Sequence, residues 1–406
     1  MNILIYGINY TPDLTGIGKY TGEMGAWLVK NGNKVDVITA MPYYPKWEKA
    51  AGYKGKIWFS ENIAGANVKR CPLYVPKNVT GATRMIHEFS FLLSSSVFWL
   101  RALFKSYDIV ITPYPPLIIG FWPYFYKLFH RKAIWVFHIQ DLQVDAAREL
   151  GLIKNKKLLS VLTKLELFWL KKADRVSSIS EGMKARILTK GVSEETYIML
   201  PNWAETEIVK PLSKKMSMRG MLGISEEKKV ILYSGNLGEK QGVDMIIDAA
   251  FAFKDQHNIL FVVAGEGASK IRLQAYATEK AVENVLFLPL QPYSKLASFL
   301  AIADVHLVLQ KKSAADLVLP SKFMSILSAG GVAVVTAEEN TSLYDMIISN
   351  KLAYICEPDN LSLFIEVLRD ALDQDSSFMS NQARKFAVEH LSIDSILRKF
   401  QYTLIN

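Results

Sequence analysis

The first part of the chain alternates short apolar runs with a stretch of helical periodicity. Ile3 to Tyr6 is typical of a buried strand, and Val35 to Thr39 is a second one. Between them, apolar residues recur every three or four positions, as on one face of a helix that ends at Asn31-Gly32: Ile17, Tyr20, Met24, Trp27 and Leu28. The pattern predicts a strand–helix–strand unit.

The same alternation continues to Ser180. It predicts strands at 108–112, 133–139 and 175–179, and helices at 84–106 and 156–171. Because strands alternate with helices, the pattern indicates a parallel sheet with helices on both faces.

The second half restarts this pattern at Val230. Apolar runs predict strands at 230–233, 259–264, 285–288, 304–309, 332–336 and 353–356. The best boundary between the halves is the proline- and lysine-containing stretch 200–215. We therefore predict an α/β protein with two doubly wound Rossmann-like domains facing a cleft. Their limits are 1–205 and 206–385, and a C-terminal helix at 386–406 is expected to pack back toward the first domain.

Composition narrows the classes of protein that fit this pattern. The 406 residues are 50% apolar and carry a net charge of +9, which favours anionic partners such as nucleotides or an acidic membrane surface. Basic residues are spread along the chain and no nucleic-acid-binding signature occurs, so we expect no nucleic-acid partner.

The cysteines and the hydrophobic runs bear on localisation. Cys71 and Cys356 have no C-x-x-C partner, which fits a reducing cytoplasm. The N-terminus does not resemble a secretion signal, and the most hydrophobic helical run, 89–100, is shorter than the roughly 20 residues that span a bilayer. We expect a cytoplasmic protein without a transmembrane helix.

Glycine loops follow strands in both halves. They read TGIG at 15–18, SGNLG at 234–238 and AGEG at 264–267. Backbone N–H groups at such loops, and the helices that follow them, suit a phosphate-bearing ligand. Neither G-x-G-x-x-G nor the G-x-x-x-x-G-K-[ST] loop is present.

A polar trio ends the apolar strand at 133–139. His138 and Gln140 share one face by the strand period of two, and Asp141 follows in the loop. The plainer interpretation is a strand-end histidine satisfied by backbone groups. No cluster of histidine, cysteine and carboxylate residues with metal-ligand spacing occurs, so we expect neither a metal nor another cofactor.

Two further motifs contain lysine. Ser321 and Lys322 begin a predicted helix, where a lysine opposes the helix dipole unless an anion is bound. The Tyr276-x-x-x-Lys280 pattern of short-chain dehydrogenases also occurs, but without their glycine motif, and we interpret it as an exposed helix.

Taken together and in this order, six segments resemble bacterial glycosyltransferases of the GT-B fold, family 4. They are YGINYTP at 6–12, GIGKY at 16–20, QDL at 140–142, ISEGM at 179–183, LPNW at 200–203 and YSGNLG at 233–238. The likeness is strongest to the branch that contains the colanic acid fucosyltransferase and the O-antigen L-fucosamine transferases. It implies retaining, metal-independent transfer from a UDP- or GDP-sugar, with the donor mainly on the second domain and the acceptor on the first.

The resemblance also implies roles for individual residues. Gly16 and Gly18 match the glycine loop near the diphosphate, Glu266 falls in the nucleotide loop, and Leu290 lies in the segment that lines the base.

The donor loop departs from the family pattern. Gly235-Asn236 stands where the family often has Gly-Arg. Gln241 stands at the position of a phosphate-binding lysine, with Lys240 one place early.

The catalytic signatures depart from it as well. Ser325 occupies the second glutamate position of E-x7-E, and Leu317, beside Asp316, occupies the first. The strand-end His-Asp pair of the family appears as Gln140-Asp141. The residues predicted to be catalytic are His138, Gln140, Asp141 and Lys322. Those predicted to bind the donor are Gly16, Gly18, Gly235, Asn236, Lys240, Glu266, Leu290, Asp316, Ser321, Lys322 and Ser325.

The acceptor is expected to be a lipid-linked saccharide, on undecaprenyl diphosphate. The helix at 84–105 and the aromatic run 121–126, followed by basic residues, would suit contact with an anionic inner membrane. Ordinary packing of these helices on the sheet is the alternative. A nucleotide-sugar epimerase of the same fold and a non-catalytic partner protein of the pathway are the rival functions.

Overall fold

A computed structural model describes residues 1–13, 16–149, 151, 153, 155–312 and 320–405. By its internal contacts the chain divides into two compact units. The first is Met1–Asn202 together with Leu397–Asn406, and the second is Trp203–Ile396. The domain limits predicted from the sequence stay predictions.

The described part of the first unit contains a mixed sheet in the order β3-β4-β2-β1-β5-β6-β7-β8. The strands are β1 Asn2–Tyr6, β2 Lys34–Ala40, β3 Phe59–Ile63, β4 Ala66–Cys71, β5 Ile109–Tyr114, β6 Ile134–Ile139, β7 Arg175–Ser178 and β8 Tyr197–Met199. The strand order reverses beside β1, between β2 and β5, and this is where ligands bind in open α/β sheets.

The β3–β4 hairpin corrects the prediction of a wholly parallel sheet. Phe59 pairs with Arg70 in antiparallel register, whereas the other pairs in this sheet are parallel. Ala64 and Gly65 connect the strands with φ values of 49° and 84°, as in a two-residue hairpin turn with both central residues left-handed. The sequence FSENI of β3 lacks a strongly apolar run because this edge strand is only partly buried.

Helices cover this sheet and enclose an aromatic core. They are α1 Gly16–Lys30, α2 Gly81–Ala102, α3 Phe121–Phe129, α4 Gln143–Glu149, α5 Lys156–Lys172 and α6 Glu181–Thr189. Tyr6, Trp99 and Trp135 are among the largest fully buried side chains. The Tyr6 hydroxyl lies 2.9 Å from Ser95 Oγ, which ties β1 to α2 and satisfies both buried hydroxyls.

The second unit has a parallel sheet in the order β11-β10-β9-β12-β13-β14. Its strands are β9 Lys229–Ser234, β10 Ile259–Ala264, β11 Val285–Leu288, β12 Val305–Val308, β13 Ala333–Thr336 and β14 Tyr354–Cys356. The six strands predicted here are confirmed. The strand order reverses beside β9, between β10 and β12, so the loop after β9 lies at the ligand-binding edge.

The helices of the second unit complete the fold. They are α7 Asp244–Ala252, α8 Lys270–Glu279, α9 Leu296–Leu300, α10 Ser321–Ser328, α11 Ser342–Asn350, α12 Leu361–Asp373, α13 Ser377–Phe386 and α14 Ile393–Ile405. The α14 helix continues from the second unit into the residues grouped with the first. The predicted class of two Rossmann-like α/β domains is confirmed.

Candidate active site

The glycine loop at the start of α1 lies at the point where the first sheet changes strand order. Gly16 has a φ of 61°, which favours glycine. A Cβ atom at Gly18 would lie 2.5 Å from the Cβ atom of Asp13, so only glycine fits there without movement. Asn9 Nδ2 donates to Asp13 at 3.2 Å, and burial raises the pKa of Asp13 to about 6.

This loop borders a cavity of about 360 Å³ in the first unit. The cavity is lined by Ile8, Asn9, Gly16, Ile17, Gly18, Tyr20, Tyr43, Tyr44, Trp47, Arg84, His87, Glu88, Pro115, Pro116, Gln140, Asp141, Ile179 and Asn202. Its volume is at the small end of the range of roughly 300–1,000 Å³ for small-molecule sites. Four sequence-predicted residues, Gly16, Gly18, Gln140 and Asp141, therefore share one cavity.

His138 is not part of the cavity lining, but its side chain is hydrogen-bonded to Gln140, which is. Its Nδ1 atom is 2.9 Å from Ser177 Oγ, and its Nε2 atom is 2.8 Å from Gln140 Nε2. Burial lowers the pKa of His138 to about 3, so the imidazole is neutral near pH 7. With Nε2 accepting from the Gln140 amide, Nδ1 carries the proton and donates to Ser177. The ring is thus satisfied by two side chains and not by the backbone groups of the plainer interpretation, and His138 fixes the orientation of Gln140.

Sequence reasoning missed an ion pair in the same cavity. Arg84 Nε donates to Glu88 Oε1 at 3.3 Å, one helical turn apart on α2. Burial raises the pKa of Glu88 and the pKa of Asp141. The positive charge of Arg84 opposes this rise in both carboxyl groups. The sequence signal was the spacing of four residues between the opposite charges of Arg84 and Glu88 on a predicted helix.

In the second unit, the loop after β9 packs against the loop after β10. The Gly235 amide donates to Ala264 O at 3.0 Å, and the Leu237 amide donates to Glu266 O at 2.8 Å. These two amides are therefore unavailable to an anion. In the described part of the chain, the amides of Asn236 and Gly238 are the donors of this loop that have no backbone partner. The binding of a diphosphate by this loop stays a prediction.

The glycines of the β10 loop are required by this packing. A Cβ atom at Gly265 would lie 1.9 Å from Gly235 O, and one at Gly267 would lie 2.3 Å from Leu237 O. Gly267 also has a φ of 154°. Close backbone approach is by itself sufficient to account for both glycines.

Lys322 is brought to the β9 loop by its position as the second residue of α10. Its Nζ atom donates to the Tyr233 hydroxyl at 3.3 Å and lies 4.3 Å from the centre of the Tyr233 ring. The Tyr233 hydroxyl in turn donates to Asn236 O at 2.7 Å. A Cβ atom at Gly235 would be 3.8 Å from Lys322 Nζ. The arrangement holds a cation beside the glycine loop, and Tyr233 is the member that sequence reasoning missed.

The other predicted donor residues have different surroundings. Lys240 is exposed on a 3₁₀ turn, Leu290 is exposed, and Glu266 forms an ion pair with Lys270 at 2.7 Å. Ser325 Oγ donates to Ser321 O at 3.3 Å within α10. Asp316 and Leu317 lie outside the described residues.

The part of the chain that the structure describes contains neither a metal-binding cluster of side chains nor a membrane-spanning helix. No group of three or more histidine, cysteine, aspartate or glutamate side chains there is arranged to hold a metal ion. Nor does any helix in the described ranges combine the length and the apolar character needed to cross a membrane.

Two models of known protein families match this chain, one in each half. The model described as glycosyl transferases group 1 matches residues 215–387, and that of the glycosyl transferase 4-like domain matches residues 15–203. The putative colanic acid biosynthesis glycosyl transferase WcaI of Escherichia coli K12 is 40% identical over 408 residues, which cover 98% of each chain.

Solved structures share the fold over the full length. Sucrose-phosphate synthase from Thermosynechococcus elongatus has a TM-score of 0.70 at 14% identity, covering 100% of this chain and 98% of that one. HepE of Anabaena, solved in complex with UDP and glucose, has a TM-score of 0.66 at 13% identity, covering 100% of this chain and 99% of its own. At these identities the likeness concerns the fold alone.

Proposed function

Because this chain belongs to the family 4 glycosyltransferases of the GT-B fold, we propose that it transfers a sugar from a nucleoside-diphosphate sugar to a lipid-linked saccharide in bacterial surface polysaccharide synthesis. The proposed binding of a nucleoside-diphosphate sugar rests on one observation. Lys322 lies beside Gly235 and Tyr233, where the strand order of the second sheet reverses. The name of the Escherichia coli relative supports the proposed role in polysaccharide synthesis.

The proposed mechanism is retaining and independent of metal. As the bond to the sugar breaks, negative charge grows on the departing nucleoside diphosphate, and a cation already in place stabilises that charge. Lys322 supplies the cation, with the amides of Asn236 and Gly238 as further donors. The leaving phosphate then takes the proton of the acceptor hydroxyl on the same face of the sugar.

The proposed donor is a UDP- or GDP-activated 6-deoxy-L-hexose, either L-fucosamine or L-fucose. Isothermal calorimetry with UDP and with GDP, each without metal and with magnesium, tests this assignment. We expect one of the two nucleotides to bind clearly more tightly, with a dissociation constant that magnesium changes less than about threefold, because Lys322 replaces the metal charge.

The outcome of this titration narrows the donor. Preference for UDP points to an N-acetylated sugar such as L-fucosamine, and preference for GDP points to L-fucose. Binding of neither nucleotide would remove the basis for the donor site around Lys322.

For the acceptor, we propose an undecaprenyl diphosphate-linked saccharide that the enzyme reaches from the cytoplasmic face of the inner membrane. Exposed apolar side chains follow one face of α2 and one face of α3: Ile86, Phe89, Leu93, Leu100, Phe121, Phe125, Leu128 and Phe129. Trp122 Nε1 donates to Leu92 O at 3.0 Å, which holds the two helices side by side. We call this set the α2–α3 face.

Charge at the α2–α3 face suits an anionic bilayer. Arg101, Arg131 and Lys132 are exposed at its end, and α3 contains no acidic residue. Apolar side chains that enter the headgroup region beside basic residues are the usual composition of an interfacial anchor.

Flotation with liposomes tests this contact. The double variant Leu93→Ser, Phe129→Ser should lower the fraction bound to anionic vesicles at least tenfold, because each buried apolar side chain contributes about 1.5–3 kcal/mol. These side chains are 70% and 67% exposed, and Ile271→Ser, Phe378→Ser is a matched control in the second unit, at 82% and 61%. Unbound wild-type protein, or equal loss in the control, would contradict the proposal.

A further inference from the structure

The cavity of the first unit has a wall that the donor assignment does not use. Tyr20, Tyr43, Tyr44 and Trp47 line it with aromatic rings. The Tyr43 ring is held in place by His87 at 4.5 Å and by Trp47 at 5.5 Å between ring centres. Aromatic walls with a few fixed polar groups are typical of sites for small organic ligands, and flat rings suit the C–H faces of a sugar.

His87 adds an unsatisfied polar atom to this wall. Its side chain is 1% exposed, and its Nδ1 atom lies 2.5 Å from Tyr74 O. Because that carbonyl requires a proton on Nδ1, Nε2 is left as an acceptor, and burial lowers the pKa of the ring so that it stays neutral. Nε2 has no hydrogen-bond partner among the described residues. A buried acceptor without a donor calls for a ligand hydroxyl or a water at this wall.

The lining of the cavity also contains two carboxylates and one cation. Glu88 and Asp141 line it, and Arg84, the positive group in the lining, is already paired with Glu88. With both carboxylates ionised, the formal charge of the lining is negative by one unit. A ligand with its own negative charge would be repelled, whereas the hydroxyls of an uncharged sugar can donate to both carboxylates.

We propose that this cavity binds the terminal sugar of the acceptor and selects an uncharged pyranose, with Glu88 and Asp141 accepting hydrogen bonds from its hydroxyls and Trp47 covering its apolar face. The inference rests on the proposed function, since it concerns the acceptor of the same reaction. It excludes a uronic acid or a phosphorylated sugar at the position that receives the new residue. A volume of about 360 Å³ suits one or two sugar rings.

Saturation-transfer NMR on the full chain tests the proposal with simple probes. The probes are the methyl glycosides of glucose, galactose and N-acetylglucosamine, and the methyl glycosides of glucuronic and galacturonic acid. We expect at least one uncharged glycoside to bind, and each uronide to bind at least tenfold more weakly, both with and without the preferred nucleotide.

Variants locate the binding in the cavity. Trp47→Ala should abolish saturation of the glycoside, and Glu88→Gln should reduce the discrimination against uronides, while both variants still bind the nucleotide. Glu149→Gln is the matched control, because Glu149 lies outside the cavity lining and pairs with Arg186. It should behave as wild type.

The results separate this inference from the function on which it rests. If the nucleotide binds but the uronides bind as tightly as the uncharged glycosides, or no glycoside binds, the inference is wrong and the donor assignment stands. Glycoside binding that survives Trp47→Ala would also overturn it. Failure to bind nucleotide would instead count against the proposed function.

Discussion

Replacing Lys322 by methionine should lower the turnover number about 100- to 1,000-fold, the usual loss when a preformed donor to developing negative charge is removed. Lys322 Nζ is held against Tyr233 and beside Gly235 before any substrate arrives, so little reorganisation is needed when charge grows on the leaving diphosphate. The effect should fall mainly on turnover, because the charge is greatest in the transition state. Steady-state rates with the preferred nucleotide sugar and a lipid-linked acceptor measure it.

Three controls make the Lys322 result specific. Lys322→Arg retains the charge in a different shape and should recover part of the activity. Lys240→Met removes an exposed lysine from the neighbouring 3₁₀ turn and should lower turnover far less. Thermal unfolding of each variant checks that the fold is intact. A larger loss in Lys240→Met than in Lys322→Met would move the catalytic charge to Lys240.

The second sheet was predictable because its strands are buried on both faces. Ile259–Ala264 is a continuous apolar run, and Ala333–Thr336 is apolar up to its last residue, as is typical of parallel strands under two helical layers. The β3–β4 hairpin was missed for the opposite reason. Phe59–Ile63 alternates partly buried and exposed residues at a sheet edge, and such a strand does not differ from a loop in apolar content.

The sequence identifies a candidate site residue where the charge of that residue is unfavourable in its own local structure. Lys322 opposes the dipole of the helix that it begins, and this alone identified it. Glu88 and Tyr233 were missed because their local sequence does not mark them as site residues: pairs of opposite charges four residues apart are common on helix surfaces, and tyrosine is common in strands. Glu88 reads as an ordinary helix charge and Tyr233 as an ordinary strand residue until the fold brings the first beside Asp141 in one cavity and the second against Lys322.

The glycine motifs alone do not show whether a loop binds a ligand or packs against another loop. Gly235 and Gly265 both follow strands, and the sequence predicts the same phosphate role for their loops. In the structure the second loop supports the first, because the Leu237 amide donates to Glu266 O and the Gly235 amide donates to Ala264 O. A motif of small residues cannot distinguish a ligand contact from a backbone contact, since both need the same absence of a side chain.

This division of roles predicts that Gly265→Ala impairs the donor site without touching any ligand. The new Cβ atom would lie 1.9 Å from Gly235 O, a backbone atom, so one of the two loops must move. Forcing an extra methyl group into a packed position costs about 1–3 kcal/mol, sometimes more. We expect the free energy of unfolding, measured by urea denaturation, to fall by that amount. Nucleotide affinity should fall at least tenfold, as the β9 loop shifts away from Lys322.

Gly220→Ala is the matched control for this prediction. Gly220 belongs to the same unit, but a Cβ atom there would meet no heavy atom within 4 Å. Its stability should change by less than about 0.5–1 kcal/mol, with nucleotide affinity unchanged. The informative contrast is between stability and binding. Gly265→Ala with lowered stability but wild-type affinity would show that the loop packing supports the fold only, whereas loss of both would show that the second glycine loop positions the first for the donor.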